Sequence, residues 1–193
     1  MQGLMMEMPL LITAIMKHAE RNHATREIVS VTADNPLHRY TFADWFARTR
    51  QGANVLEELG VTDDARIGTL AWNDYRHLEL YFGISCSGRI VHTINPRLFA
   101  EQLVYIINHA EDEVIFVDVG FISILELVAA QCPTVKAYVV MCDEASMPTT
   151  SLPNVQCYET LLAKASDEYE WPELDENTAC SLCYTSCTTG NPK

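Results

Sequence analysis

Short apolar runs alternate along the chain with segments in which apolar residues recur every three or four positions. The runs are typical of buried strands, and the periodic segments are typical of amphipathic helices. We predict strands over residues 27–31, 65–73, 89–94, 113–118, 136–141 and 179–184. Helices are predicted over residues 9–23, 42–59, 74–87, 99–109, 121–131 and 158–165. From residue 65 onward the two alternate, which predicts an α/β fold with a parallel sheet flanked by helices.

Polar residues and glycines mark where several of these elements begin and end. Thr41 is placed to cap a helix, with Asp44 near the positive end of that helix. Gly60 and Gly88 are placed to end the second and third helices. Residues 34–36 and 95–96 predict turns, and residues 142–153 predict a surface loop.

The last ten residues follow an apolar strand and combine hydroxyls, a glycine and a lysine, in the order Tyr-Thr-Ser-Cys-Thr-Thr-Gly-Asn-Pro-Lys. Hydroxyls and free backbone N–H groups donate to phosphate oxygens, and an ammonium supplies positive charge, so this segment predicts a phosphate-binding loop. It is not a Walker loop, because Gly190 is its only glycine and Gly-Lys-Ser/Thr is absent.

We call residues 184–193 the phosphate-loop signature, because the run resembles Tyr-Thr-Ser-Gly-Thr-Thr-Gly-x-Pro-Lys of the adenylate-forming superfamily. Residues 92–98 (His-Thr-Ile-Asn-Pro-Arg-Leu) and 105–112 (Tyr-Ile-Ile-Asn-His-Ala-Glu-Asp) are similar to its medium-chain and long-chain fatty acyl-CoA synthetases. The resemblance implies the N-terminal part of the large AMP-binding domain. Residues 1–64 would form N-terminal helices and short strands, and residues 65–193 a βαβ-type subdomain ending in the signature.

The resemblance also implies an activity, its cofactors and its site residues. A fatty acid, ATP and CoA would yield acyl-CoA, AMP and pyrophosphate through an acyl-adenylate, with Mg²⁺ on the phosphates. The residues that would hold the ATP phosphates are Thr185, Ser186, Thr188, Thr189, Gly190 and Lys193. No catalytic residue and no metal ligand of the family is expected within these 193 residues.

Two departures from the family pattern bear on this expectation. Cys187 stands where the family has glycine, and a β-carbon at a positive φ would cost on the order of 1 kcal/mol. The sequence stops at Lys193, whereas the family continues through its adenine contacts and its adenylation lysine. We therefore expect an N-terminal fragment that is inactive by itself. The alternative is a non-catalytic nucleotide-binding domain or a truncated interaction domain.

Composition limits the classes of partner that the protein can bind and indicates its cellular compartment. The formal net charge is −13, from 13 basic and 26 acidic residues, which argues against nucleic-acid binding. No apolar run is long enough to span a membrane, and no signal peptide is evident, so a cytoplasmic protein is expected. Peripheral membrane association through the first helix is the alternative, and a homodimer stays open. Cysteines 86, 132, 142 and 180 lie in or beside apolar stretches and are predicted to be reduced and buried.

Other chemistry-bearing residues are interpreted as structural. Cys180 and Cys183 have the spacing of a metal motif, but positions three apart on a strand point to opposite faces. No partner base can be placed beside Cys187 to make it a nucleophile. Structural roles are likewise expected for His77, His92 and His109, and packing roles for Trp72 and Tyr75 at the end of a strand.

Overall fold

The computed structural model describes residues 1, 3–32 and 36–185. Its α-helices are α1 (Ile12–His23), α2 (Phe42–Glu58), α3 (Tyr75–Cys86), α4 (Ala100–Ala110), α5 (Ile122–Val128) and α6 (Tyr158–Leu162). Its strands are β1 (Glu27–Ser30), β2 (His38–Thr41), β3 (Arg66–Leu70), β4 (Ile90–Thr93), β5 (Val114–Val117), β6 (Ala137–Val140), β7 (Val155–Cys157) and β8 (Ser181–Cys183). Helices and strands alternate from β3 to β6, as the hydrophobic pattern predicts, and β7 then follows β6 with no α-helix between them.

The strands form two sheets. β1 and β2 make an antiparallel pair, and the other six strands form one parallel sheet in the order β7-β6-β5-β3-β4-β8. The predicted α/β class is confirmed. β3 lies between β4 and β5 in the sheet, and the later strands are added on the outer sides of these two. The helix that follows β3 therefore lies on one face of the sheet, and the helices that follow β4 and β5 lie on the other.

Two apolar layers enclose the sheet. On one face α2, α3 and α6 pack on the sheet through residues such as Leu56, Leu80, Ile84, Tyr158 and Leu162. On the other face α4 and α5 pack through Leu103, Ile106, Ile107, Ile122 and Leu125. Strands β5 and β6 are buried at every position, as expected for central strands of a parallel sheet covered on both sides.

The local signals at helix ends are confirmed. The Thr41 hydroxyl accepts a hydrogen bond from the Asp44 backbone N–H, and the Asp44 carboxylate accepts one from the Thr41 N–H, which completes a capping box at α2. Gly60 and Gly88 follow α2 and α3 with φ of 66° and 87°, a region that favours glycine.

Several predictions needed correction. The sequence pattern missed β7, because Val155-Gln156-Cys157 is too short to form an apolar run of its own. The helix predicted over residues 121–131 is α5 with a 3₁₀ turn at each end. Cys180, predicted to be buried, is partly exposed, whereas Cys86, Cys132 and Cys142 are buried as expected. Two residues of the turn predicted over 34–36 lie outside the described part of the chain.

An ion-pair cluster joins the helices of one layer. Arg48 of α2 bonds the carboxylates of Glu79 in α3 and Glu159 in α6. Arg76 of α3 also donates from Nε to Glu159 at 2.7 Å. Glu79 has no exposed side-chain surface and also accepts a hydrogen bond from the Tyr158 hydroxyl at 2.9 Å. Each buried carboxylate is thus paired, which offsets the cost of taking it out of water.

Candidate phosphate-binding site

The signature begins where β8 ends, at the carboxyl edge of the parallel sheet. β8 pairs with β4, with Thr93 opposite Cys183, so Tyr184 and Thr185 emerge beside the carboxyl end of β4. In open α/β sheets this edge is the one that faces ligands. The topology therefore places the start of the signature where a nucleotide phosphate can be reached.

Of the predicted phosphate contacts, Thr185 alone falls within the described ranges, and it is exposed. The remaining predicted contacts, and the departing Cys187, lie outside the described residues; they are Ser186, Thr188, Thr189, Gly190 and Lys193. The phosphate-binding roles of this set therefore stay a prediction.

The side chain of Tyr184, the first residue of the signature, contacts helix α4. Its hydroxyl lies 2.6 Å from Nδ1 of His109, and its ring packs among the apolar residues between α4 and the sheet. Burial raises the pKa of the Tyr184 hydroxyl. Which of the two groups donates depends on the tautomer of His109. The His109 ring in turn stacks on Tyr105, one turn earlier in α4, with 5.4 Å between the ring centroids.

A buried histidine and carboxylate lie behind the Tyr184 ring. Nδ1 of His92, in β4, lies 2.9 and 2.8 Å from the two carboxylate oxygens of Asp112, and neither side chain has exposed surface. Burial raises the pKa of Asp112, although the hydrogen bond from His92 opposes this shift. The ring centroids of His92 and Tyr184 are 5.2 Å apart.

Gly68 in β3 makes room for this buried pair. A β-carbon at Gly68 would lie 3.3 Å from Asp112 Oδ2 and 3.1 Å from side-chain carbons of both Ile94 and Ile115. The close approach of these side chains to the strand therefore depends on glycine.

The other residues singled out from the sequence have packing and hydrogen-bonding partners. His77 is buried; its Nδ1 lies 3.0 Å from the Trp72 carbonyl oxygen and its Nε2 lies 3.0 Å from the Thr69 hydroxyl. Burial lowers the pKa of His77, which favours the neutral ring. Trp72 is 54% exposed and packs on Phe121, while Tyr75 is buried and stacks on His38. These contacts fit the structural roles expected of them.

Two features are absent from the described residues. In those ranges, no group of three or more His, Cys, Asp or Glu side chains could hold a metal ion. Nor does any helix there have the length and apolar character needed to cross a membrane.

A parallel sheet covered by helices on both faces defines the class of doubly wound α/β proteins. Within that class, residues 16–193 match the family described as AMP-binding enzyme, and the chain belongs to this family. Over all 193 residues it is 45% identical to the medium-chain-fatty-acid–CoA ligase of Ectopseudomonas oleovorans. It is 46% identical, again over 193 residues, to the 3-methylmercaptopropionyl-CoA ligase of Ruegeria lacuscaerulensis. The chain spans 35% and 36% of the length of these two relatives.

Solved structures show the same fold. The anthranilate CoA ligase AuaEII, in complex with anthranoyl-AMP, superposes with a TM-score of 0.84 at 21% identity, over 97% of this chain and 34% of that one. The N-terminal domain of FACL13 from Mycobacterium tuberculosis gives 0.79 at 20% identity, over 96% and 43%. The fold is thus that of the N-terminal part of adenylate-forming CoA ligases, as the resemblance implies.

Sequence reasoning treated the three histidines one at a time and did not pair them with partners. The sequence contains one signal for the pairing of His92 with Asp112. His92 lies inside an otherwise apolar strand, and a buried histidine there needs a polar partner. The pairing of His109 with Tyr184 joins residues 75 positions apart and had no local signal.

Proposed function

We propose that this chain provides the phosphate-binding part of an ATP-dependent fatty acyl-CoA synthetase. The observation that carries the proposal is the phosphate-loop signature, which starts at Tyr184 and Thr185 on the carboxyl edge of β8. The family match supports the enzyme class. The acid is proposed to be a medium-chain or long-chain fatty acid, on the likeness to the medium-chain ligase. The chain is also 46% identical to a ligase named for 3-methylmercaptopropionate, so that short acid is the comparison substrate to test.

The donor set of the signature fits a nucleotide phosphate. Four hydroxyls (Thr185, Ser186, Thr188 and Thr189) would donate to phosphate oxygens, Gly190 would permit a close backbone approach, and Lys193 would supply positive charge. The net charge of −13 does not forbid this, because backbone N–H groups give local positive potential within an acidic protein. ATP with Mg²⁺ would supply an electrophilic α-phosphorus and a pyrophosphate leaving group, and CoA would accept the acyl group.

In this proposal the chain contributes orientation and charge stabilisation. The signature would hold the β- and γ-phosphates while a carboxylate oxygen attacks the α-phosphorus, so that the departing oxygen is in line with the attack. Residues 1–64 are proposed to form the N-terminal helices and short strands, and residues 65–193 the subdomain that ends in the signature. The 193 residues alone are proposed not to turn over, because the family's adenine contacts and adenylation lysine have no counterpart in them.

A direct binding experiment tests the phosphate site. Titration of the 193-residue chain with Mg-ATP should give saturable binding that Lys193→Met and Thr189→Ala each weaken. Lys136→Met is the matched control, since that lysine pairs with Glu113 at 2.7 Å on the surface. Binding that is absent, or that all three variants leave unchanged, would contradict the assignment.

A chimera tests the reaction. Residues 1–193 would replace the matching segment of the medium-chain relative, with which they are 45% identical. We expect pyrophosphate release that depends on a medium-chain fatty acid, and none from the 193-residue chain by itself. Release that depends only on 3-methylmercaptopropionate would overturn the fatty-acid assignment.

A second candidate function is a non-catalytic nucleotide-binding or interaction domain. Cys187 favours it, because a β-carbon at the family's glycine position would crowd the phosphates. A chimera that binds Mg-ATP but releases no pyrophosphate, even after Cys187→Gly, would support this candidate over the enzyme.

A further inference from the structure

The antiparallel pair β1–β2 packs on Tyr75, the first residue of helix α3. The backbone N–H of Tyr75 donates to the Ser30 hydroxyl of β1 at 3.0 Å. The His38 ring of β2 stacks on the Tyr75 ring, with 3.6 Å between the ring centroids and 9° between the ring planes. A two-stranded sheet is marginally stable by itself, so the position of this pair depends on contacts such as these.

Two guanidinium groups also lie over the Tyr75 ring. The Cζ atoms of Arg48 and Arg76 are 5.6 and 4.9 Å from its centroid. The Arg76 side chain is 1% exposed and that of Arg48 is 23% exposed, so solvent screens their charges only weakly. A positive charge on His38 would therefore place a third cation around one ring.

The carboxylates that face His38 already accept hydrogen bonds from other groups. Glu159 of α6 accepts from both arginines, and also from the Tyr75 hydroxyl at 3.2 Å. Asp74, the N-cap residue of α3, accepts from the backbone N–H of His77 at 3.0 Å. These carboxylates therefore offset a charge on His38 only in part.

The other described neighbours of His38 supply no negative charge. In β1 the residue opposite His38 is Ser30, and in β2 the Tyr40 ring lies edge-on at 4.8 Å. Burial raises the pKa values of Tyr40 and Tyr75, so both hydroxyls keep their protons. Nε2 of His38 is buried and has no hydrogen-bond partner among the described residues. Both nitrogens of an imidazolium are donors, so this N–H would lack an acceptor.

We propose that His38 is a pH-sensitive contact, which docks the β1–β2 pair on α3 when its ring is neutral and releases the pair when the ring takes up a second proton. A cleft of about 340 Å³ lies between the pair and the helix, with Ile28 and Val29 on one wall and Leu78 and Tyr81 on the other. Release of the pair would move one wall of this cleft. The inference depends neither on the phosphate-loop signature nor on the proposed function.

The direction of the pH effect follows from the number of protons bound. Burial and the charges of Arg48 and Arg76 lower the pKa of His38, whereas Glu159 and Asp74 oppose this shift. The docked form thus binds fewer protons than the released form, whose imidazole titrates near its ordinary value of about 6.5. Docking is therefore most stable above that value and weakens as the pH falls through the lower pKa of the docked form.

Hydrogen exchange followed by NMR measures this contact in the 193-residue chain. Protection factors, which are corrected for the intrinsic pH dependence of exchange, are compared for the amides of β1–β2 and of the central strand β5. For one proton, protection in β1–β2 should fall by up to about tenfold for each pH unit below about 6.5, whereas protection in β5 should hold. β5 also reports any global effect of His77, whose pKa is lowered by burial.

Two variants assign the effect to His38. His38→Phe keeps a planar ring that can stack on Tyr75 and cannot take up a proton, so the loss of protection at low pH should disappear. His18→Gln is the matched control, because it removes an exposed imidazole from α1.

A fall of protection in β1–β2 in the unmodified chain and in His18→Gln, but not in His38→Phe, would support the inference. Constant protection in the unmodified chain, an equal fall in His38→Phe, or an equal fall in β5 would overturn it. If His38→Phe does not fold, the imidazole NMR shifts of His38 in the unmodified chain decide. A titration midpoint below about 6.5, with the β1–β2 amide shifts changing at the same pH, would support the inference, and a midpoint at or above that value would overturn it.

Discussion

The guanidinium of Arg48 donates two hydrogen bonds to the carboxylate of Glu79, from Nε at 2.7 Å and from Nη2 at 3.2 Å. The Glu79 side chain has no exposed surface, and that of Arg48 is 23% exposed. The pair joins α2 to α3 on one face of the sheet. Burial raises the pKa of Glu79, and the charge of Arg48 opposes this shift. Arg48 therefore favours the ionised form of this buried carboxyl group.

Replacing Arg48 should be costly. Arg48→Met leaves Glu79 buried without its main counter-ion, and removing one partner of a buried ion pair typically lowers the free energy of unfolding by about 3–5 kcal/mol. Urea denaturation followed by circular dichroism measures the change. Arg39→Met is the control, because Arg39 and Glu27 form an exposed pair (51% and 58%), and such pairs contribute about 1 kcal/mol or less. An equal decrease in the free energy of unfolding for Arg48→Met and Arg39→Met would contradict the conclusion that a buried ion pair matters more than an exposed one.

Substitution of Gly68 by alanine should destabilise the folded protein. In Gly68→Ala the new methyl would meet Ile94 and Ile115 at 3.1 Å and the Asp112 carboxylate at 3.3 Å, so the neighbours must shift. We expect a loss of about 1–3 kcal/mol in the free energy of unfolding, the usual cost of overpacking. Gly120→Ala is the comparison, because a β-carbon there meets nothing within 4 Å. A thermal melt in which the two variants unfold at the same temperature would argue against the close packing around Gly68.

Sequence signals that act between neighbouring residues predict parts of this fold, whereas features that depend on contacts between distant segments could not be predicted. The start and end of α2 could be predicted, because Thr41, Asp44 and Gly60 act through neighbouring backbone groups. The sheet order could not, since alternation of strands and helices does not say that β3 lies between β4 and β5. The same limit applies to the site: the signature was recognisable as a local motif, but the hydrogen bond between His109 and Tyr184 forms only after two distant segments fold together.

The capping box at α2 predicts a pH dependence. Hydrogen bonds from the Thr41 hydroxyl and backbone N–H lower the pKa of Asp44. A carboxyl whose pKa is lower in the folded state stabilises the protein above its unfolded pKa, and this contribution is lost as the pH falls through the folded pKa. The free energy of unfolding should therefore decrease below about pH 4, near the unfolded pKa of aspartate. Asp44→Asn should be less stable at neutral pH and should lose less on acidification.

Denaturant titrations at a series of pH values test this expectation. Asp167→Asn is a suitable comparison, because it changes one exposed aspartate in the segment after α6. Parallel pH profiles for Asp44→Asn and the unmodified chain would contradict a stabilising role of the Asp44 charge.

Cys187 offers the sharpest test of the link between sequence and function. The family signature that this run resembles has glycine at this position, and in the proposed phosphate site a β-carbon there would crowd the phosphates. If Cys187 impairs phosphate binding, Cys187→Gly should tighten Mg-ATP binding about fivefold or more, the equivalent of about 1 kcal/mol. Calorimetric titration of both proteins measures the difference. Cys183→Ser controls for the loss of a thiol, since Cys183 is exposed and lies four residues earlier in the sequence. Equal affinities before and after Cys187→Gly would mean that the signature tolerates a side chain at this position, and the argument for a non-catalytic domain would lose its main support.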